Sequence, residues 1–356
     1  MTLTAPPAEV SSATSAHALF EEARRRRRRR YRTAIASLVL VSGVIAGVVT
    51  TLSSSPSKPL AKHQGSLPRW SPPSGPDRTT PSVFVAADGQ GGVGLYETAT
   101  GRLTRTLSPE EVGGPDEQAV LSENRRLVYF VQPSGACSGV IRSVPTTGAT
   151  EPTTVVSSPT ALATEPSPSP NAADLAWIGA SCESGSTVTS DLYVTDLKSG
   201  VVTELGALQP TADNGMAWSP NSRQLAVENG QTIDLIAATP GSLSRSRSMT
   251  IGSGCRLTSP VFLLHAQQIA AIRTCSEANG TMETSTVLAY DTATGEPVAV
   301  IAAAPAGATF EGLSVDASRT HLLVGVVRPS STARIVQVDH GRLVTVSTSS
   351  PTDAQW

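Results

Sequence analysis

Lysine and the aromatic residues are the scarce components of this 356-residue chain: three lysines stand against 24 arginines, and Phe, Trp and Tyr together make up 4%. So few large rings exclude a core built on aromatic packing, and the burden falls on Val, Ile, Leu and Ala within a hydrophobic fraction of 39%. That fraction also excludes disorder throughout. Gly and Pro, 29 and 26 residues, have no collagen-like period and suit a fold of short strands joined by turns. The five histidines, His17, His63, His265, His321 and His340, are isolated, with no HxH, HExxH or CxxC pattern, so neither a metal nor another cofactor is expected. A phosphate loop and a GxSxG are missing as well. The nearest string, GACSG at 135–139, carries Cys where the nucleophile would stand. The short acidic strings AADGQ and ADNG have too few ligands for a calcium loop.

The formal charge of −2 hides an asymmetry, because the basic residues are massed at one end. Arg24, Arg25, Arg26, Arg27, Arg28, Arg29 and Arg30, followed by Tyr31 and Arg32, precede AIASLVLVSGVIAGVVTTL, 19 uncharged residues at 34–52. As a helix that run covers about 28 Å, close to the roughly 30 Å hydrocarbon core of a bilayer. It is read as a single transmembrane helix, and the arginines place the amino terminus in the cytoplasm and everything after residue 52 outside the cell membrane. A cleaved signal peptide is the rival reading, but its apolar run is normally shorter and ends in a small-x-small site, which VVTTLSSSP lacks. Arginines in such a run also suit nucleic acid or anionic lipid. Beside a span they are read as a topology signal, so no nucleic-acid partner is expected. Gly43 and Gly47 form a GxxxG that would allow two helices to pair as a homodimer.

Residues 53–81 are rich in Ser and Pro without an apolar period and read as a disordered, semi-extended linker, with a reach on the order of 90 Å. Beyond it the chain repeats. A turn of small polar residues and Gly between two apolar strands occurs six times, with Gly101, Gly148, Gly200, Gly241, Gly295 and Gly341 spaced 41 to 54 residues apart. Upstream of most of these lies a second turn leading into an apolar strand: SENRRLVYFV, SPNAADLAWI, SPNSRQLAV, LHAQQIAAI and DASRTHLLVGV. Each unit therefore holds about four short strands.

Four strands repeating every 40 to 50 residues is the pattern of propeller blades. WSPNSRQLAV resembles the repeat of TolB-like and WD-repeat propellers, and DLYVTDLKSGVVTEL resembles that of YVTN-type propellers. No Trp-Asp pair ends the blades, so the WD subfamily itself is not matched. The resemblance implies an all-β, six-bladed β-propeller of four-stranded blades over 82–356, and the chain as a whole resembles actinobacterial envelope proteins. Blade one starts at SVFVA without its innermost strand, while PTDAQW at the end of the chain is similar to PTADNGMAW before it. Asp353 to Trp356 is therefore expected to complete blade one, with Trp356 in the place of Trp218.

Under this assignment Cys137, Cys182, Cys255 and Cys275 all fall on one face, in the loops after second and fourth strands. The face carries the longest irregular segments, so Glu183, Glu277, Asn279 and Glu283 are binding candidates there. The expectation is a membrane-displayed binding or scaffolding module for an envelope protein or a small ligand, and not an enzyme. An extracytoplasmic hydrolase of lactonase type, with side chains gathered around the channel, is the alternative. Outside the cytoplasm the four cysteines are expected to pair. Peptide mapping without reduction should find Cys137 joined to Cys182 and Cys255 joined to Cys275; any other pairing overturns the face assignment.

Overall fold

A computed structural model of the protein describes residues 67–356 apart from 73–78, 88–91, 109–117, 136–137, 149–150, 159–160, 182–188, 210–214, 240–241, 251–253, 265, 277–282, 329–330, 340 and 348–353. The arginine run, the predicted span with Gly43 and Gly47, and Cys137, Cys182, Glu183, Glu277, Asn279 and Asp353 lie outside the described residues. No described helix is long and apolar enough to cross a membrane.

Among the described residues, twenty-four strands form six four-stranded antiparallel sheets. Blade 1 supplies β1 (Val83–Ala87), β2 (Val93–Glu97) and β3 (Leu103–Ser108). Blade 2 is β4 (Ala119–Leu121), β5 (Leu127–Gly135), β6 (Ser138–Pro145) and β7 (Thr153–Ser158). Blade 3 is β8 (Ala161–Pro168), β9 (Asp174–Ser181), β10 (Ser190–Asp196) and β11 (Val202–Leu208). Blade 4 is β12 (Met216–Trp218), β13 (Gln224–Asn229), β14 (Thr232–Thr239) and β15 (Ser242–Met249). Blade 5 is β16 (Cys255–Phe262), β17 (Gln268–Ser276), β18 (Glu283–Asp291) and β19 (Pro297–Ala303). Blade 6 is β20 (Thr309–Val315), β21 (Leu322–Arg328), β22 (Ser331–Asp339) and β23 (Arg342–Ser347), and β24 (Ala354–Gln355) returns to pair with β1. The first strands meet their neighbours around a ring, β24 with β4, then β8, β12, β16, β20 and back to β24. The protein is a closed six-bladed β-propeller.

Every blade is buried on both faces, which explains why second strands read as unbroken apolar runs instead of alternating ones. Along β17, Ile269 and Ala271 face blade 4 while Ala270 and Ile272 face blade 6. In the same way Ala226 of β13 packs toward blade 5, and Leu225 and Val227 toward blade 3. Six apolar clusters result, one in each gap between neighbouring blades. Alanine at the crowded positions takes the place of the missing large rings.

The turns between third and fourth strands follow from local chemistry. In DLKSG and DTATG the carboxylates of Asp196 and Asp291 accept from the next backbone N–H groups, Lys198 and Ser199 in one turn and Ala293 and Thr294 in the other. The glycine N–H then closes on the carbonyl four residues back, and Gly200 and Gly295 take φ of 73° and 75°, a region glycine occupies without steric cost.

Closure rests on a short strand. Ala354 and Gln355 pair with Ala86 and Val85, and Trp356 is buried in the cluster between blades 6 and 1. Trp218, at the end of its own first strand, donates its Nε1–H to the Ser167 carbonyl of the preceding blade at 2.8 Å. Trp356 lies against the corresponding residue of its preceding blade, its backbone N–H 3.3 Å from Ser314 Oγ. Cys255 and Cys275 are directly opposed on β16 and β17 and form a disulfide, which cross-links the first two strands of blade 5 at the end away from their turn.

Within the stretch expected as linker, three residues pack against the propeller. Arg69 forms a parallel bridge with Val300 on the outer edge of blade 5. Trp70 N–H donates to Val300 O at 2.8 Å, and Val300 N–H donates to Pro68 O at 2.9 Å. Trp70, 8% exposed, enters the core between blades 5 and 6. A Pro-rich stretch has no periodicity to betray one buried ring, so composition alone reads this strap as spacer. Replacing Trp70 with Ala should destabilise the propeller by about 3–5 kcal/mol in denaturant unfolding; a loss below about 0.5 kcal/mol would return the residue to the linker.

Candidate functional site

The turns between first and second strands gather at one mouth of the central channel. Three share the pattern Ser-x-Asn: Ser122-Glu123-Asn124, Ser169-Pro170-Asn171 and Ser219-Pro220-Asn221. In each the serine Oγ donates to the asparagine Oδ1 at 2.7–2.9 Å. The same Oδ1 accepts a backbone N–H two residues on, from Arg126, Ala173 and Arg223. The serine Oγ in turn accepts the N–H that starts the second strand, from Leu127, Asp174 and Gln224. With both acceptor sites of Oδ1 engaged, the side-chain orientation is fixed and the Nδ2 donors point away from the turn. The three asparagines, with Glu123, Pro170, Pro220 and Ser222, line a shallow depression of about 480 Å³.

The fourth residue of these turns is left-handed: Arg125, Ala172 and Ser222 have φ of 57°, 55° and 56°. The turn of blade 6, Asp316-Ala317-Ser318-Arg319, has the same shape, with Arg319 at φ 57°. For a side chain other than glycine this conformation costs roughly 1–2 kcal/mol. Here it sends a guanidinium across the channel. Arg319 Nη1 donates to the carbonyls of Phe262 at 3.2 Å and Trp218 at 3.5 Å, at the ends of the first strands of blades 5 and 4. Its Nη2 donates to the Glu123 carboxylate at 3.3 and 3.4 Å. The Arg319 side chain is 10% exposed and that of Glu123 28%. Burial pushes the Arg319 guanidinium below its ordinary value against the opposing pull of Glu123 and Asp316.

Blades 6 and 2 flank blade 1, the one blade whose first two strands come from opposite ends of the chain and are joined by no turn. The Arg319–Glu123 pair spans the mouth above that gap.

Asp316 positions the arginine. Its Oδ1 accepts the N–H groups of Thr320 and His321, each at 3.0 Å, and its Oδ2 accepts from Ser318 Oγ at 2.5 Å. His321 Nδ1 lies 3.1 Å from Oδ2, and its ring stands edge-on to Trp356, with centroids 6.1 Å apart. An ionised carboxylate only accepts, so His321 Nδ1 carries the proton of that bond. Burial pushes the Asp316 carboxyl up, but the bonds from Ser318 and His321 outweigh it and hold the group below its ordinary value.

Of the residues expected to form a binding face, Glu283 opens β18 opposite Ser276, next to the Cys255–Cys275 pair; Glu183, Glu277 and Asn279 are outside the described residues. Sequence reasoning missed Arg319 and Glu123. Their signal was present, since Glu123 stands where the two equivalent turns carry Pro170 and Pro220, and Asp316 where they carry serine. Among the described residues no group of three or more His, Cys, Asp or Glu is placed to hold a metal ion.

No protein-family model and no curated protein matches the chain. Among solved structures it is similar to TolB from Acinetobacter baumannii, at 14% identity and TM-score 0.55 over 77% of this chain. It spans 65% of that TolB chain. A TolB-type protein from Agrobacterium tumefaciens matches at 13% identity and TM-score 0.54, covering 76% of this chain and 92% of that one. An oligogalacturonate lyase in complex with manganese matches at 12% and 0.50, covering 72% and 71%. At these identities the likeness is one of fold.

Because the folded Asp316 carboxyl is depressed, its contribution to stability is complete above the unfolded value of 3.8 and is lost as pH falls through the folded value. The melting temperature should therefore drop as pH is lowered below about 3.8, and Asp316→Asn should remove part of that slope while lowering stability at neutral pH. An unchanged slope in the variant would show that Asp316 is not the titrating group.

Proposed function

We propose that the protein is a non-enzymatic binding module, a β-propeller held outside the cytoplasm by one membrane span, which takes its partner at the turn-lined mouth of the channel. The observation that carries this reading is the set of three asparagine amides, Asn124, Asn171 and Asn221, each locked by its own turn and lining one depression beside Glu123, the carboxylate paired with Arg319. A rigid array of donors on neighbouring blades binds acceptors with little ordering cost, which is how preorganised surfaces gain affinity.

Two features support this compartment. The uncharged run at 34–52 behind seven arginines supports a span with the propeller outside. The Cys255–Cys275 disulfide suits an oxidising environment. The likeness to TolB structures supports the propeller as a platform without assigning the partner, which is an envelope protein or a small ligand in this reading.

The test is capture from envelope extract by the full-length protein in detergent, beside Asn171→Arg and Asn221→Arg. These exposed positions admit a larger side chain without touching the core, but each change removes the Oδ1 bonds of its turn, so the propeller should stay folded with a modestly lower melting temperature while the partner is lost by at least about ten-fold in apparent affinity, the scale of a central contact. Capture that is indifferent to both substitutions removes the turn face from the binding surface, and substrate turnover by the wild type removes the non-enzymatic reading.

A further inference from the structure

We propose that the channel mouth recognises a carboxylate, and that an acidic side chain of a peptide partner takes the Arg319 guanidinium from Glu123. The inference rests on the binding role of the turn face and deepens it by naming the chemistry of the ligand.

Arg319 is buried, yet its four hydrogen bonds run from 3.2 to 3.5 Å. Charge-assisted bonds from a guanidinium are typically about 2.7–2.9 Å and often paired on one carboxylate. The arginine is therefore held in place without being well satisfied. Two of its acceptors are neutral carbonyls fixed at the ends of strands. The third partner, Glu123, is the movable one, because its side chain is partly exposed and borders the depression. Leaving Arg319 buried with no anion is costly, so Glu123 leaves the guanidinium only when another anion takes its place. A ligand must bring its own negative charge to open the pair.

The surroundings select the same chemistry. Asn124, Asn171 and Asn221 offer donors to the depression, and Glu123 is the only ionisable residue that lines it. Arg125, Arg126 and Arg223 are exposed on the same turns. Fixed amide donors, one planar guanidinium and a basic rim match the two oxygens of a carboxylate. The depression has room for a side chain or two and not for a folded domain, which points to an extended acidic segment. A free dicarboxylate shares the chemistry and is separated by the experiment.

Glu123 is then an internal competitor. If it occupies Arg319 nine-tenths of the time, it lowers apparent affinity about ten-fold, and removing it restores that factor. The measurement is binding of capped hexaglutamate, glutarate and capped hexalysine to the full-length protein in detergent. Wild type is compared with Glu123→Gln, Arg319→Gln, Arg319→Lys and the Glu123→Gln/Arg319→Gln double variant. Glu123→Gln should bind hexaglutamate about ten-fold tighter than wild type. The two Arg319→Gln proteins should lose that binding, Arg319→Lys should be intermediate, and hexalysine should not bind. Peptide binding without glutarate binding assigns the acidic segment, and equal binding per carboxylate assigns a small anion; either keeps the carboxylate site. Should Arg319→Gln fail to fold, the comparison of Glu123→Gln with wild type decides, since that change is near-isosteric and half-exposed. The proposal falls if Glu123→Gln binds no tighter than wild type, or if a folded Arg319 variant binds as well. A partner that is lost with Asn171→Arg but is indifferent to Arg319 overturns this inference and leaves the binding role standing.

Discussion

Every sheet in this molecule must bury two faces, and only a closed ring offers each of them two neighbours. The six apolar clusters lie in the six gaps between blades, so no blade has a core of its own, and opening the circle at one gap would bring apolar surface into water on two blades. Closure is thus the constraint on which the rest depends. The pairing that achieves it is small, two residues of β24 against β1, and the molecule surrounds it with other devices. Trp356 fills the gap core, His321 stands edge-on to that ring, and Arg319 reaches across the turnless blade to Glu123. All three are organised by the one turn that Asp316 shapes. A backbone strand of two residues is weak by itself, but it is held by side chains whose geometry is fixed one turn away.

The architecture was legible because its determinants are local. Turn glycines such as Gly101, Gly200 and Gly295 announce themselves by the small polar residues around them and by a recurrence of 41 to 54 residues, and each has positive φ. The role of the last residues was legible for a related reason: PTDAQW resembles a segment elsewhere in the same chain, so a repeat could be used to read its own missing strand. Two features were not. Trp70 is a single apolar residue in a stretch rich in Ser and Pro, and its burial depends on an edge strand 230 positions further on. Arg319 and Glu123 are 196 positions apart, and although Glu123 stands where equivalent turns carry proline, no local pattern ties it to Arg319. What joins them is the ring, and no window of sequence contains a ring.

The strap changes what the linker is. Residues 67–70 add hydrogen bonds to the outer edge of blade 5, and an exposed edge is a place where sheets risk pairing with other chains. Trp70 then reaches past that edge to the core between blades 5 and 6. Blade 5 is also the blade whose first two strands are joined by the described disulfide. The two restraints act at different places, one at the rim and one near the axis. Together they hold both the inner and the outer part of one blade, where a loss of register would otherwise spread through both neighbouring cores.

Repetition itself separates structure from function here. Where the turns at the channel mouth agree, as in Ser169-Pro170-Asn171 and Ser219-Pro220-Asn221, the agreement is explained by the hydrogen bonds that fold the turn. Where they differ, folding gives no reason for the difference. Blade 2 gives up a proline that suits its turn for Glu123, and blade 6 gives up the turn's serine for Asp316, beside Arg319 at the left-handed position that Arg125, Ala172 and Ser222 occupy in blades 2, 3 and 4. Each departure taken alone is unfavourable or neutral for the turn that carries it. They make sense as a pair, because the carboxylate meets the guanidinium above the one blade that has no turn. A purely structural clasp would be expected to draw its bonds short, and these remain at 3.2 Å and beyond, so the pair closes the mouth without filling the hydrogen-bonding capacity of the arginine.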